Sequence, residues 1–466
     1  MLDEWVPYGE RQPLGGSALW DISSQYYRDK GLEAWLEIPY VITGSRVLAE
    51  VYADLILALC KDVGPRWQGK TLHILELGAG LGRLGFHLAR LLEDKFSRFA
   101  ATRDLQWKLT LSDMTAEVVD FWRSHPGFQP LIQAGRVDFA VHPELPVAEP
   151  LVVVANYFFD SLPHDEFLLD EHRLQECHVQ LMRRPGSPGD VPHIKDVGCE
   201  KSYEPVNTYH HYPHLAWNRI LRDYRAEASR GAFLFPRTAL EILGTWSGKE
   251  FALLSSDRGF TTLQSMVSYP EHPYTVHAGA FSHMVNYDAI ARWFRNAGGL
   301  AWLTNNGVFN ALQTACCLSP ALGSGPFEEL DYVFEQRLNR QNVVNSTHNL
   351  FSMVRADEPT MPQAYRAFLR LSGCDPDALV LCAKSLGESV GTLTPTEYAD
   401  LGNLLDQVAS HVYLHPGVTR GPFWLAHVYM QMGRIPEARK FLQMTIDHFG
   451  SDEVLEDLMR HLSRLE

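Results

Sequence analysis

One stretch constrains this chain more than any other. It runs from His73 to Gly85 and reads H-I-L-E-L-G-A-G-L-G-R-L-G. An apolar strand through Ile74 and Leu75 ends at Glu76, a turn carries Gly78, Gly80 and Gly82, and an amphipathic helix begins near Leu84. Strand, glycine turn and helix in this order bring backbone close to a nucleotide-like ligand at the carboxyl edge of an α/β sheet. The fold class expected from it is α/β, a Rossmann-like sheet.

Two ligand readings compete. Gly80, Gly82 and Gly85 satisfy the dinucleotide pattern G-x-G-x-x-G. A pyrophosphate, however, wants amide donors and no nearby anion, and Glu76 stands at the strand end. Dinucleotide folds also place the ribose-binding acid about 20 residues on, whereas Asp113 lies 33 residues beyond Gly80. The fuller pattern, Glu76-x-Gly78-x-Gly80-x-Gly82, resembles motif I of class I S-adenosylmethionine (SAM) methyltransferases. That resemblance implies SAM as cofactor and S-adenosylhomocysteine as product. The ammonium and sulfonium of SAM suit an acid at this place.

Bulk properties exclude some partners. The chain has 466 residues and a formal charge of −15, with no long Lys/Arg run, so a nucleic-acid partner is disfavoured. Seven scattered cysteines without a C-x-x-C pair read as reduced thiols. The N-terminus is acidic and polar, and no run of 18 apolar residues occurs, so neither a signal peptide nor a membrane span is expected. The resulting expectation is a cytoplasmic protein. An oligomer of the chain with itself is compatible with the sequence.

Taken in order, the chain predicts a helix over 17–30, an N-cap at Ser45, and a helix with Val47, Val51, Leu55 and Leu59 on one face. A second strand ends at Asp113 and a third lies around Val137–Phe139. Leu151–Ala155 is the most apolar strand, as a central parallel strand should be. Residues 166–250 break the rhythm and read as an inserted substrate cap over the carboxyl edge. Strand Phe251–Ser256, helix Tyr287–Asn296 and a last strand Leu300–Leu303 complete a methyltransferase domain over 1–345. Residues 346–466 are helical. Trp424, Leu425, Ala426, Tyr429, Gly433 and Ala438 resemble a tetratricopeptide repeat.

The segment after the central strand, A-N-Y-F-F-D-S-L-P from Ala155 to Pro163, is similar to the N-E-F-F-D-A-L-P motif of the mitochondrial-dysfunction-protein-A type, the complex I assembly-factor methyltransferases. Two further segments resemble that family: Leu253–Phe260, and Ser282–Ile290 with His283. Ile42-Thr43-Gly44-Ser45 echoes its F-I-T-S-P-E. The resemblance implies a SAM-dependent methyltransferase with a substrate insertion, whose best-understood branch methylates an arginine of a protein partner. The family's Glu after Asn is Tyr157 here, and its later Glu is Arg46. The carboxylate that would orient a guanidinium is therefore missing at 157.

The candidate cofactor residues are Glu76, Gly78, Gly80, Gly82, Asp113 for the ribose, Asp138 beside the adenine, and Thr43. The candidate catalytic residues are Asn156, which would hold an amine or amide; Asp160, as base or cation holder with Asp165 and Glu166 nearby; Tyr157, as pocket wall; and His283, as a second base. His210, His211 and His214 show no ligand geometry, so no metal is expected. The expected activity is methyl transfer to a protein or peptide side chain, most plausibly nitrogen, with the tail reading the substrate. A small-molecule O- or N-methyltransferase and a SAM-binding assembly factor with little turnover are the alternatives.

Overall fold

The computed structural model describes residues 4–38, 42, 44–142, 148–269, 274–305, 312–354, 362–416 and 421–465. Its organising layer is an eight-stranded sheet. Strands β2 (Thr71–Leu77), β3 (Gln106–Asp113), β4 (Val137–Val141), β5 (Leu151–Asn156) and β10 (Phe251–Phe260) run parallel in the order β4-β3-β2-β5-β10. The order reverses between β2 and β5, which makes their carboxyl ends the place where ligands are bound in such sheets. Two more strands, Leu312–Leu318 and Leu300–Leu303, add antiparallel beyond β10. The sequence reading stopped at Leu303. It missed Leu312–Leu318, a short run of mixed Thr, Ala and Cys with no period of two, which is fully buried.

β5 is buried at every residue. Both faces are covered, so the strand reads as a continuous apolar run rather than an alternation, and each such aliphatic side chain contributes roughly 1.5–3 kcal/mol on burial. The predicted helices form close to their expected bounds: α1 (Leu19–Lys30), α2 (Arg46–Val63), α3 (Arg83–Arg98) and α4 (Ala116–Ser124). Ser45 caps α2 by accepting from the Leu48 amide at 3.3 Å. The single apolar face read for α2 is too narrow, however. Ala49, Tyr52, Ala53, Ile56 and Ala58 are buried as well, because α3 packs on one side and the C-terminal helices on another. A helix buried nearly all round is an interior element.

The insertion builds a second sheet. β6 (Asp165–Asp170), β7 (Arg173–Arg183), β8 (Val197–Pro205) and β9 (Arg230–Phe235) join the N-terminal strand β1 (Val6–Pro13) in a five-stranded antiparallel sheet. Phe167, Leu169, Leu174 and Phe233 share a core with Leu151, Val153 and Leu253 of the main sheet. The tail packs its own core around Leu379, Leu401, Leu405 and Leu425. Helices Gly421–Gln431 and Ile435–Phe449 form a pair joined at Gly433, with Tyr429 and Phe441 stacked 6.0 Å apart. Among the described residues, no helix is long and apolar enough to cross a membrane.

Candidate functional site

A cavity of about 780 Å³ opens at the carboxyl ends of β2 and β5. Its floor is Glu76, Gly78, Ala79 and Leu81 from the glycine turn, with Asn156, Tyr157, Asp160 and Ser161 from the turn after β5. Arg258, at the end of β10, and Ser282 form the third side. The sequence motifs around Glu76–Gly82 and Asn156–Asp160 therefore meet in one place, brought together by the parallel pairing of β2 with β5.

The glycine turn has the conformation its residues allow. Gly80 sits at φ +53°, and a Cβ there would lie 2.3 Å from the Trp35 ring. A Cβ on Gly78 would lie 2.6 Å from Phe158. Helix α3 starts behind Gly82, which offers no side-chain cap, so the amides of its first turn lack a side-chain acceptor. Glu76 is 2% exposed. Its Oε2 has no hydrogen-bond partner among the described residues, and burial, reinforced by the Asp113 charge, pushes its pKa up to about 8. A buried carboxylate without a partner is costly unless a ligand supplies a cation. This set of an acid, small residues and a helix N-terminus fits an amino-acid-bearing cation such as SAM.

The acceptor side is polar and tightly tied. The Tyr52 hydroxyl donates to the Asn156 Oδ1 at 3.3 Å and to the Ser256 Oγ at 2.7 Å. Tyr157 holds φ +48°, a left-handed conformation unusual for a bulky residue and characteristic of functional turns. Asp160 is buried and accepts from the Ser161 hydroxyl at 3.0 Å. Behind it, Asp257 accepts the Asp160 amide at 3.1 Å and the Arg258 amide at 2.8 Å. Burial raises both carboxyls, and the charge of Asp160 raises Asp257 further. The Arg258 guanidinium, which donates to the Ser282 Oγ at 2.9 Å, holds Asp160 down in part.

Several expected residues stand elsewhere. Asp138 is exposed and pairs with Lys108 at 2.9 Å. It lies three places before the end of β4, ~10 Å from the carboxyl edge, and is not among the cavity-lining residues. His283 does not line the cavity either. Its ring packs against Trp20 at 5.6 Å and Phe281 at 5.7 Å, and only its amide reaches the site, donating to the Asp160 carbonyl at 3.0 Å. Asp165 is bound by the Tyr212 hydroxyl at 2.5 Å and Glu166 by Lys201 at 2.7 Å, both away from the cavity. Asp113 accepts the amides of Gly80 at 3.1 Å and Met114 at 2.8 Å, turned into the loop behind the cavity wall. Thr43 lies outside the described residues. His211 faces Glu176 at 3.3 Å, His214 packs on Trp217, and His210 is exposed.

Residues 166–250 are not among the residues that line the cavity. Two other regions enclose the site. The N-terminal segment supplies Tyr27, Trp35 and Glu37, and the tail supplies Thr347, His348, Asp375, Asp377 and Leu381. Sequence reasoning missed all of these. Arg258, flanked by Asp257 and Gly259 in a motif already singled out, was within reach; the tail residues carried no local signal.

A family model described as "Putative S-adenosyl-L-methionine-dependent methyltransferase" matches residues 48–316, more than half of the chain. The chain belongs to this family of SAM-dependent methyltransferases. The matched span of the methyltransferase runs from α2 through the strand Leu312–Leu318 and stops before the tail. Two solved structures from Burkholderia thailandensis are similar to it. One, crystallised with S-adenosyl-homocysteine, is 15% identical over 73% of this chain and 92% of that one, with a TM-score of 0.47. The other, described as uncharacterized, is 14% identical over 70% and 90%, with a TM-score of 0.46. No curated protein matches the methyltransferase. In this enzyme Glu76, the amides after Gly82 and the turn Gly78–Gly82 are the groups that would hold SAM.

Proposed function

We propose that this methyltransferase transfers a methyl group to a nitrogen on a protein or peptide side chain. SAM, when bound, supplies an electrophilic methyl on its sulfonium. The observation that carries the reading is that Asn156 and Asp160 share one cavity wall with Glu76 and Gly78. The Asn156 carboxamide is placed to orient an amine or amide, and Asp160 to take the proton that the nitrogen releases. Burial raises the Asp160 carboxyl toward neutrality, where a general base works best. Arg258 already sits beside Asp160, so a second guanidinium entering the site would be repelled. This favours a neutral nitrogen over arginine, in keeping with Tyr157 at the position where the complex I assembly-factor type has Glu. A partner protein approached through the helical tail remains part of this proposal.

A small-molecule acceptor is the second reading, favoured by one observation. The cavity is walled on two further sides by the N-terminal segment and the tail, an enclosure suited to a small acceptor. Incubating the enzyme with methyl-labelled SAM and a cell extract separates the two. Label in protein, localised to nitrogen by peptide mass spectrometry, is the expected result. Label confined to the small-molecule fraction would overturn it in favour of the second reading.

A further inference from the structure

The matched family span stops before the C-terminal tail, yet the segment linking two of the tail helices touches the cofactor loop directly. The Tyr413 hydroxyl donates to the Leu81 carbonyl at 2.7 Å. The loop between Gly78 and Gly82 is glycine-rich and cannot lock itself by side-chain packing. Among the described residues, four hydrogen bonds fix its shape from outside. Ala79 donates to the Ser112 carbonyl at 2.9 Å and Gly80 to Asp113 at 3.1 Å. The Gly80 carbonyl accepts from Trp122 at 3.1 Å. The fourth tie, to Leu81, comes from the tail.

The same seam grips the helix that follows the loop. Arg83, the first residue of α3, faces Asp375 and, at 2.9 Å, Asp377; all three side chains are 6% exposed or less. Asp375 also accepts the Arg46 amide at the start of α2 and the Asp377 amide at the start of its own helix, both at 2.9 Å. Two helix N-termini and the Arg83 guanidinium thus converge on one carboxylate, which offsets the cost of burying it. Beside this cluster the Tyr413 ring stacks on His125 at 4.1 Å, and His125 meets the Leu414 carbonyl at 2.6 Å.

We infer that the helical tail holds the SAM loop in its binding shape, with Tyr413 and the Asp375–Asp377 pair as positioning residues. The inference rests on SAM binding at Gly78–Gly82. A loop released from one tie spends less time in the competent shape, and apparent affinity falls by that fraction. Tyr413 does not line the cavity, so its hydroxyl acts on the cofactor site through the loop, by its bond to Leu81. Loss of one such hydrogen bond corresponds to about a three- to tenfold change. By reciprocity, SAM must also stabilise the seam.

The test uses the full chain. Removing Asp375 would strand Arg83 and endanger folding, so the decisive variant is Tyr413→Phe. Its control is Tyr429→Phe, which removes a comparable tail hydrogen bond, to Asp406 at 2.8 Å, far from the loop. Calorimetry should show SAM bound about three- to tenfold more weakly by Tyr413→Phe and equally well by Tyr429→Phe. Hydrogen exchange on the wild type should slow at residues 412–415 when SAM is added, and slow less in Tyr413→Phe. Wild-type affinity in Tyr413→Phe, or equal losses in both variants, would overturn the inference alone. No SAM binding by the wild type would overturn the reading beneath it as well.

Discussion

Two buried charged clusters lie on either side of the glycine turn, and they are built on opposite principles. At the tail seam, Arg83 is enclosed by Asp375 and Asp377, and the amides of Arg46 and Asp377 complete Asp375. At the strand tips, Glu76, Asp113, Asp160 and Asp257 converge with the Arg258 guanidinium beside Asp160. Burial raises every one of these carboxyls above its ordinary range. The seam pairs its guanidinium with two carboxylates, whereas the tips gather four carboxyls around one guanidinium. A cluster paired within the chain reads as architecture. An acid-rich one at the crevice of a parallel sheet reads as a place prepared for a cation-bearing ligand.

The harshest test of that contrast is Gly80→Arg. The side chain would start 2.3 Å from the Trp35 ring, on backbone at φ +53°, so calorimetry should detect no SAM binding. Retained binding would mean that the tips are not the cofactor site. Asp160→Asn comes next. It should leave SAM affinity nearly unchanged and lower methyl incorporation about 10²-fold or more, the usual cost of losing a general base. Equal incorporation would move proton transfer elsewhere. Glu76→Gln should weaken SAM roughly 10- to 100-fold, as expected for a lost charge-assisted bond.

The two clusters also respond to pH with opposite sign. Glu76 stays protonated in the folded chain up to about 8, against an ordinary value of 4.5. Between those values the folded state holds the extra proton, so this contribution to stability falls as pH rises. Glu76→Gln should therefore raise Tm relative to wild type more at pH 8 than at pH 5. At the seam the groups are histidines. Burial brings His125 and His411 down to about 4 and His415 down to about 3, from 6.5. His87, wholly buried beside Arg83 and with no hydrogen-bond partner for its ring nitrogens among the described residues, is lowered well below its ordinary value. Here the unfolded state takes up protons first, so stability falls as pH drops from 6.5 toward 4. Hydrogen exchange at pH 5 should show the tail opening before β2 and β5, and no such difference should appear at pH 8. Uniform loss across both regions would remove the distinction.

The same contrast explains what was legible in the sequence. The strand tips announce themselves locally. Glu76–Gly82 lies within one turn, Asn156–Asp160 follows the most apolar strand, and both signals survive without knowledge of the fold. Even Tyr157 was readable as a departure, though not its φ of +48°. The seam has no such signal. Arg83 and Asp375 are 292 residues apart, and a single Arg or Asp in a polar stretch is indistinguishable from a solvated one. Trp35 and Tyr27 carried no local signal either, because what they cover is set by where the N-terminus returns over Gly80. The packing of the insertion was illegible for a related reason. Its composition marked it as separate from the βα rhythm, but which edge it packs on depends on Phe167 and Phe233 finding the face of β5 and β10.

The smallest expected effect belongs to Asp138, and it separates sequence proximity from site membership. The residue follows a good strand and was assigned to the adenine on that ground. In the fold its carboxylate is 59% exposed and meets Lys108 across the surface of β3 and β4. An exposed pair of this kind contributes about 0–1 kcal/mol, and less in salt. The Lys108 ammonium holds the Asp138 carboxyl below its ordinary range against the effect of partial burial. The carboxylate is therefore already charged at neutral pH and needs no ligand to offset it. Asp138→Ala should leave SAM affinity and methyl incorporation at wild-type levels and shift Tm by no more than a degree or two. A tenfold loss of affinity would show that the cofactor reaches past the end of β4, and that the acid excess at the strand tips extends further along the sheet edge than the cavity does.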